Sequence, residues 1–516
     1  MKIERTKNAS RNIVFGGILK IYQIAVPFLM RTAMIYFMGV QYLGLNSLFT
    51  SILQVLNLTE LGVGSAMVYS MYKPIADDDT VTICALMRLY RLYYRIIGIV
   101  IAVIGVALTP FIPYLVKNDL PAELNIYVLY LLNLAATVLS YWLFAYKNAL
   151  YQAHQRVDIT SKITLCTNTF QYVIQLIVII FIKDYYLYVI TLLFTQVITN
   201  IITAFVATKK YPDYRPIGKL ETGFVKNINH RIRDLFTSKL GAVVVNSADT
   251  VVISAFLGLT ILAIYQNYYF ILTSIIGFVS IIFQSCTAGI GNSVIVETKE
   301  KNFSDLKKFT FLICWIAGFC TCSFLCLYQP FMKIWVGDEL MLGFPAVICF
   351  CIYYFIYEIN QLLNTYKDAA GIWHEDRFRP LVTAGVNLGM NLIMVQIWGI
   401  YGVLLSTVLS MLFVGMPWLI HNLFTVLFDK KQLPEYLQSL FLYTTVVFIS
   451  CIACYFICQL FDLNMWFTLI MRSIVCCLVP NVIYITVYRK RSEYKQCLQL
   501  LDKMTKNKFE LEKRFS

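Results

Sequence analysis

Almost no part of this chain is hydrophilic enough to build a soluble domain. Only 14% of its 516 residues are charged, histidine occurs four times, and 59% of the residues are hydrophobic, with a mean hydropathy of +0.67. That composition lies outside the range of soluble globular domains. The nucleotide-binding signature GxxxxGK[ST] is missing, because Gly218-Lys219 is followed by Leu220 and has no glycine five residues before Gly218. ATP hydrolysis at a P-loop is therefore excluded. Paired CxxC motifs and HxxxH are missing as well. The fifteen cysteines fall mostly in apolar stretches, as with Cys314, Cys320, Cys322 and Cys326. They read as small apolar residues, and no metal, cofactor or disulfide is expected. The connections on one side of the membrane are only about 3 to 12 residues long. A membrane glycosyltransferase or polymerase needs a folded loop with catalytic side chains, so no catalytic residues and no enzyme activity are expected.

What the chain has instead is fourteen apolar segments, running from near residue 12 to near residue 488. A hydrocarbon core of about 30 Å needs about 20 apolar residues per helix, and Ile96 to Val116, Leu124 to Tyr146 and Thr468 to Val487 meet that length. Backbone groups in lipid must satisfy one another, which leaves helices or a closed barrel. Ten-residue alternating segments are missing, so the barrel is ruled out. The expected fold class is all-α, a polytopic membrane protein of about 14 transmembrane helices. Of the 43 Lys and Arg, 37 fall at the N-terminus, at the C-terminus or in every second loop, and only Lys117, Lys183 and Lys333 fall in the others. The positive-inside rule then places both termini in the cytoplasm. The net charge of +14 follows from that topology and calls for no nucleic acid. The first apolar segment is a full span without a small-residue cleavage site, so it is not expected to be a removed signal peptide. The tail from Arg489 reads as an amphipathic helix on the inner leaflet.

The chain repeats itself. Gly62-Val63-Gly64 ends span 2 and Gly289-Ile290-Gly291 ends span 8, each running toward a charged loop, and the two are 227 residues apart. The loop before Asn168 resembles the one before Asn387, about 219 residues on. Together these suggest two parallel six-helix bundles and an added helix pair. The expected divisions are an N-terminal lobe 1–210, a basic linker 211–234, a C-terminal lobe 235–428, a helix pair 429–488 and a basic tail 489–516. Parallel halves that rock around a central site describe a transporter.

Polar groups inside spans are the candidate site, because a charged side chain in lipid faces a cavity or a partner. Lys20 and Arg31 of span 1 stand eleven residues apart, about three turns on one face. Arg as a planar fork and Lys as a point charge suit a phosphate or pyrophosphate. Span 2 supplies Gln54, Asn57 and Glu60, with Glu60 directly before the glycine element; it either pairs with a span 1 cation or closes the helix end. Asn246 and Asp249 of span 7, Gln266, Asn267 and Gln284 of span 8, Glu358, Asn360, Gln361 and Asn364 of span 10 and Arg472 of span 14 either line a cavity or bond between helices. Glu60 and Asp249 are the candidates for ion coupling.

The run Tyr42-Leu43-Gly44-Leu45-Asn46-Ser47-Leu48-Phe49, then Glu60-Leu61-Gly62-Val63-Gly64-Ser65-Ala66, resembles the start of bacterial polysaccharide flippases of the Wzx type, in the multidrug/oligosaccharidyl-lipid/polysaccharide exporter superfamily. The segments Tyr146 to Arg156 and Asp249 to Tyr265 carry the same resemblance. It implies alternating-access transfer of an undecaprenyl-pyrophosphate-linked oligosaccharide across the bacterial plasma membrane, from the inner to the outer leaflet, for cell-surface polysaccharide biosynthesis. It also implies a cationic central cavity to which the first helix contributes, which corresponds here to Lys20 and Arg31. The expected partners are that lipid, the bilayer, a polysaccharide polymerase or ligase, and H+ or Na+ as the driving ion. The lipid II flippases of the superfamily place several arginines in the cavity, and this chain has fewer, although its added hairpin resembles their layout. The alternatives are a drug/cation antiporter of the same superfamily, which prefers acidic and aromatic groups, and a scaffold of an envelope assembly complex.

Overall fold

The computed structural model describes residues 5–504 except 61, 118–119 and 462–463. Side chains are described throughout that range apart from 5–10, 13, 58–59, 234–235, 237–239, 242, 245–246, 284–285, 288, 500–501 and 503–504. Asn246 and Gln284, named above, therefore lie outside the described side chains, as does the tail beyond 504.

Among the described residues every regular element is helical. The long helices are α1 (Arg5–Phe37), α2 (Val40–Leu56), α3 (Val63–Ala76), α4 (Thr80–Leu108), α5 (Ile126–Trp142), the short α6 (Asn148–Ala153), α7 (Val157–Ile177), α8 (Tyr185–Lys210) and α9 (Thr222–Leu257). They are followed by α10 (Leu259–Val296), α11 (Lys299–Val336), α12 (Phe344–Ala369), α13 (Arg379–Trp398), α14 (Ile400–Ser410), α15 (Met416–Val426), α16 (Leu433–Gln459), α17 (Met465–Tyr488) and α18 (Ser492–Met504). Their starts follow from local chemistry. The side chains of Asp79, Asn125, Asp184 and Thr298 accept bonds from backbone N–H groups of the first turns of α4, α5, α8 and α11, groups that have no partner within the helix.

Among the described residues eleven helices are long and apolar enough to cross a membrane, and a twelfth span results where α5 and the segment Ala145–Ala153, bent by 49°, are counted as one. The protein is a multi-pass membrane protein. The two expected spans outside that set are physically informative. Span 2 is divided into α2 and α3, neither reaching 18 residues. Span 7 is the C-terminal part of α9, one continuous helix Thr222–Leu257, of which Ser247–Leu257 is an apolar stretch among the described residues. Eleven or twelve candidate spans stand against the fourteen expected, span 2 being broken between α2 and α3.

The chain forms two compact units, Met1–Ala263 and Ile264–Ser516. In the first, α1 packs on α7, α2 on α9, α3 on α4 and α6, and α5 on α4 and α8. Gly44 of α2 lies tight against the start of α10, since a Cβ there would lie 2.2 Å from the Leu259 carbonyl oxygen. In the second, α11 is the hub, packed by α12, α16, α17 and α18. The amphipathic helix expected after Arg489 forms as α18. Its apolar side, Tyr494, Cys497 and Leu498, is buried, with Tyr494 stacked on Trp315 at 5.9 Å. That side is covered by α11 and not by lipid, because Lys307 also reaches Glu493 at 3.9 Å and the Cys497 thiol donates to the Lys308 carbonyl at 3.7 Å.

Candidate functional site: a broken helix around Glu60

The second apolar pass breaks at its motif. After α2 the backbone makes a 3-10 turn, Asn57–Glu60, and Gly62 then adopts φ 88°, ψ −22° before α3 begins. A side chain in that left-handed region costs roughly 1–2 kcal/mol, so glycine is the residue that permits the break. Interrupted helices within membranes free polar backbone groups and characteristically surround binding sites.

Glu60 hangs at this break and is held on both oxygens. The Tyr94 hydroxyl donates to Oε1 at 2.5 Å and the Tyr141 hydroxyl to Oε2 at 2.6 Å. Tyr90 extends the chain by donating to the Tyr94 oxygen at 2.7 Å. The Tyr141 hydroxyl also lies 3.1 Å from Asn57 Oδ1, so Asn57 and Glu60 share one donor. The rings pack as well: Tyr90 and Tyr94 centroids are 4.4 Å apart, and Tyr94 meets Tyr141 edge-on at 5.4 Å. All three tyrosines are buried. Gly64 completes the cluster, since a Cβ there would sit 3.2 Å from the Tyr90 hydroxyl. Both glycines of the motif therefore serve the same centre, one by its dihedral and one by its lack of a side chain. Hydrogen bonds to a charged group contribute more than neutral ones, about 1.5–3 kcal/mol.

The structure thus joins Asn57 and Glu60, through tyrosines that the sequence reading did not single out. Tyr90 and Tyr94 stand one helical turn apart on α4, a pair that was visible but hidden among 35 tyrosines. The bonds described at Glu60 come from tyrosines and not from a span 1 cation. Lys20 is exposed on α1, and Gln54 is exposed on α2. Arg31 is half-buried, within electrostatic reach of Tyr188 on α8, which stacks on Tyr185 at 5.6 Å. Asp249 is buried on α9. In that helix the Ser254 hydroxyl donates to the Leu115 carbonyl at 2.6 Å.

The second unit holds a contrasting carboxylate. Glu358 of α12 is 1% exposed, and neither of its oxygens has a hydrogen-bond partner; Cys320, Tyr354 and Tyr357 lie around it. Its neighbours in sequence are used structurally: Arg379 donates to Asn364 Oδ1 at 2.8 Å and to both oxygens of Asp376 at 2.6 and 2.8 Å. Buried amides of α13 bond across to α14, Asn387 to Thr407 at 3.0 Å. For a soft metal, the only chemically suitable donors grouped among the described residues are Cys326, Cys458 and Cys476, whose sulfurs lie within 4.8 Å of one another.

No family profile and no curated protein matches the sequence. Solved structures do match the fold. The chain is similar to the lipid II flippase MurJ in an inward closed conformation, with a TM-score of 0.62 at 15% identity over 93% of this chain and 99% of that one. It is similar to an inward-facing multidrug resistance MATE family transporter of the MOP superfamily, at 0.62 and 13% identity over 82% of this chain and 99% of that one. An outward-facing MATE family transporter matches at 0.52 and 14% identity over 83% and 96%. The chain has the fold shared by these solved flippase and transporter structures.

Proposed function

We propose that the protein is a flippase that carries an undecaprenyl-pyrophosphate-linked oligosaccharide from the inner to the outer leaflet of a bacterial plasma membrane by alternating access. The observation that supports this most is coverage. The flippase fold spans 93% of the chain against 82% for the multidrug transporter at an equal TM-score, so more of this chain has a counterpart in a protein that moves a lipid-linked headgroup. Lys20 and Arg31 take the pyrophosphate, with Gln54 and Asn57 on its sugars, and the prenyl tail stays in lipid. With no P-loop in the sequence, drive comes from an H+ or Na+ gradient through Glu60 and Asp249, or from a polymerase or ligase that removes product. A charged headgroup crosses about 30 Å of hydrocarbon only inside protein.

The test is translocation of a labelled undecaprenyl-pyrophosphate oligosaccharide in proteoliposomes by the wild type, Lys20→Ala and Arg31→Ala. Transfer by the wild type and its loss in folded cation variants supports the reading; equal rates in all three remove the pyrophosphate site. Unchanged translocation by Glu60→Gln and by Asp249→Asn at every pH and gradient removes the coupling role. A second reading, a cation antiporter, is favoured by one observation, the acidic and aromatic cluster of Glu60 with Tyr90, Tyr94 and Tyr141. Wild-type exchange of an organic cation for H+ or Na+, without lipid transfer, supports that reading instead.

A further inference from the structure

The first unit contains a cavity of about 510 Å3 that neither reading uses. One wall is α4, which contributes Arg88, Arg91 and Arg95; the other is the segment that includes Gly218 and Lys219, with Val225 of α9 beyond it. The spacing of the arginines, three and then four residues, sets them in one stripe along the helix. Four cations line the space, and no carboxylate does among the described residues. Its volume falls in the range of small-molecule sites, roughly 300–1,000 Å3.

The wall is held in place. Arg88 Nη1 donates to the Gly218 carbonyl at 2.8 Å, and the Cys84 thiol donates to the Asp213 carbonyl at 3.4 Å, so the segment is pinned to α4 at two points. Arg88 is thereby engaged. Arg91 and Arg95 make no side-chain hydrogen bond or ion pair with the described residues, which leaves their forked donors to the cavity. Lys147 adds to the positive field near Arg91; its ammonium is tied to the Thr208 hydroxyl at 2.5 Å. Topology explains why this end of α4 is basic. It does not require three arginines in one register around a shared space, where an anion would relieve their mutual repulsion.

Depth identifies the kind of anion. Arg95 immediately precedes the apolar run Ile96 to Val116, so the stripe occupies the two turns at which α4 leaves the hydrocarbon. That is headgroup level, on the side the positive-inside rule assigns to the cytoplasm. Leu92 and Ile96 are about half exposed on the same helix, and Leu89 and Leu92 line the cavity beside the arginines, so a phosphate would lie next to surface suited to a hydrocarbon chain. Basic pockets at this level bind anionic lipid headgroups, and the arginine fork matches phosphate oxygens two at a time.

We propose that the cavity of Arg91, Arg95 and Lys219 binds the phosphate of an anionic lipid from the adjoining leaflet. The site does not depend on the flippase reading, since a phospholipid and a prenyl pyrophosphate both present the recognised group.

The experiment measures lipid binding to the purified full chain by native mass spectrometry, titrating phosphatidylglycerol, undecaprenyl pyrophosphate, phosphatidylcholine and inorganic pyrophosphate separately. Both anionic lipids are expected to bind in preference to phosphatidylcholine, and the stronger of the two identifies the source. Arg91→Gln with Arg95→Gln, and separately Lys219→Gln, are expected to weaken binding by about ten-fold or more per cation removed. Lys219 lies outside any helix, so its variant tests the site even where the double arginine variant fails to fold. Arg231→Gln removes a cation that lies over the Tyr69 ring at 4.4 Å outside the cavity lining, and binding should be unchanged. The proposal is overturned if the cavity variants bind anionic lipid as well as wild type, if Arg231→Gln weakens it equally, or if inorganic pyrophosphate binds and the lipids do not.

Discussion

Gly62-Val63-Gly64 and Gly289-Ile290-Gly291 are the same motif in two halves of the chain, and they fold differently. The first breaks a helix, with Gly62 at φ 88°. The second lies inside α10, which continues unbroken to Val296. A Cβ on Gly64 would sit 3.2 Å from the Tyr90 hydroxyl, whereas one on its counterpart Gly291 would make only an ordinary contact, 3.5 Å from the Ala369 carbonyl oxygen. Two residues before the first glycine stands Glu60, held by two tyrosines. Two residues before Gly289 stands Thr287, whose hydroxyl merely donates to the Phe283 carbonyl one turn back at 2.8 Å. Glycine permits a break, and the fixed carboxylate beside it gives the break something to hold.

The second pair of repeated segments behaves in the opposite way. Before α7, Arg156 donates to both oxygens of Asp158 at 2.8 and 3.1 Å, with Lys162 3.5 Å away. Before α13, Arg379 clasps Asp376 in the same two-bond fashion, with Lys367 at 3.6 Å. The order of partners is reversed, yet both carboxylates are buried, at 0% and 2% exposure. Chemistry is kept here where the sequence spacing is not.

The largest effects are expected where these shared clasps are broken. Asp376→Ala and Asp158→Ala each remove the two-bond carboxylate partner of a guanidinium, at a cost of up to about 3–5 kcal/mol for a buried pair. The Asp376 variant should be the worse of the two, because Arg379 is 8% exposed and Arg156 21%; unfolding in mixed micelles measures both. Next comes the tyrosine pair. Tyr94→Phe and Tyr141→Phe should each lower stability by about 1.5–3 kcal/mol, with a double-mutant cycle revealing coupling through Glu60. Smaller again, Gly62→Ala should destabilise by about 1–2 kcal/mol, whereas Gly289→Ala should leave stability equal or raise it by up to about 1 kcal/mol, as for a glycine in a helix interior. Equal effects at Gly62 and Gly289 would end the contrast between the two motifs.

The effect that vanishes at neutral pH is a pH dependence that belongs to the first unit. His154, beside the Arg156 clasp, is buried and stacked on Tyr211 at 4.5 Å. Burial, reinforced by nearby Lys210, pushes its pKa down from 6.5 to about 4. Folding therefore favours the neutral ring. Its contribution is complete above the unfolded value near 6.5 and is lost as pH falls from there toward about 4. His154→Gln should flatten the stability profile in that window and leave the profile above pH 7 unchanged.

Helices and their membrane character were legible because twenty-residue apolar runs leave no alternative in lipid. Glycine spacing pointed to Glu60 as a special position, but a one-dimensional pattern does not say that Tyr90, Tyr94 and Tyr141 of two other helices converge on it. Nor does it say that an identical glycine spacing at 289–291 stays helical, since the missing carboxylate matters only in three dimensions. The α18 tail was readable as amphipathic, but its cover was not, because an apolar face fits lipid and the Trp315 side of α11 equally well by composition. Arg91 and Arg95 were read as topology alone, because the facing segment comes from more than a hundred residues later.

The decisive measurement is transfer in one set of proteoliposomes loaded to follow both a labelled undecaprenyl-pyrophosphate oligosaccharide and an organic cation, with H+ and Na+ gradients imposed in turn. The proposed function requires the oligosaccharide lipid to reach the far leaflet at a rate above protein-free vesicles, with no gradient-driven cation exchange. Cation exchange without lipid transfer would contradict it.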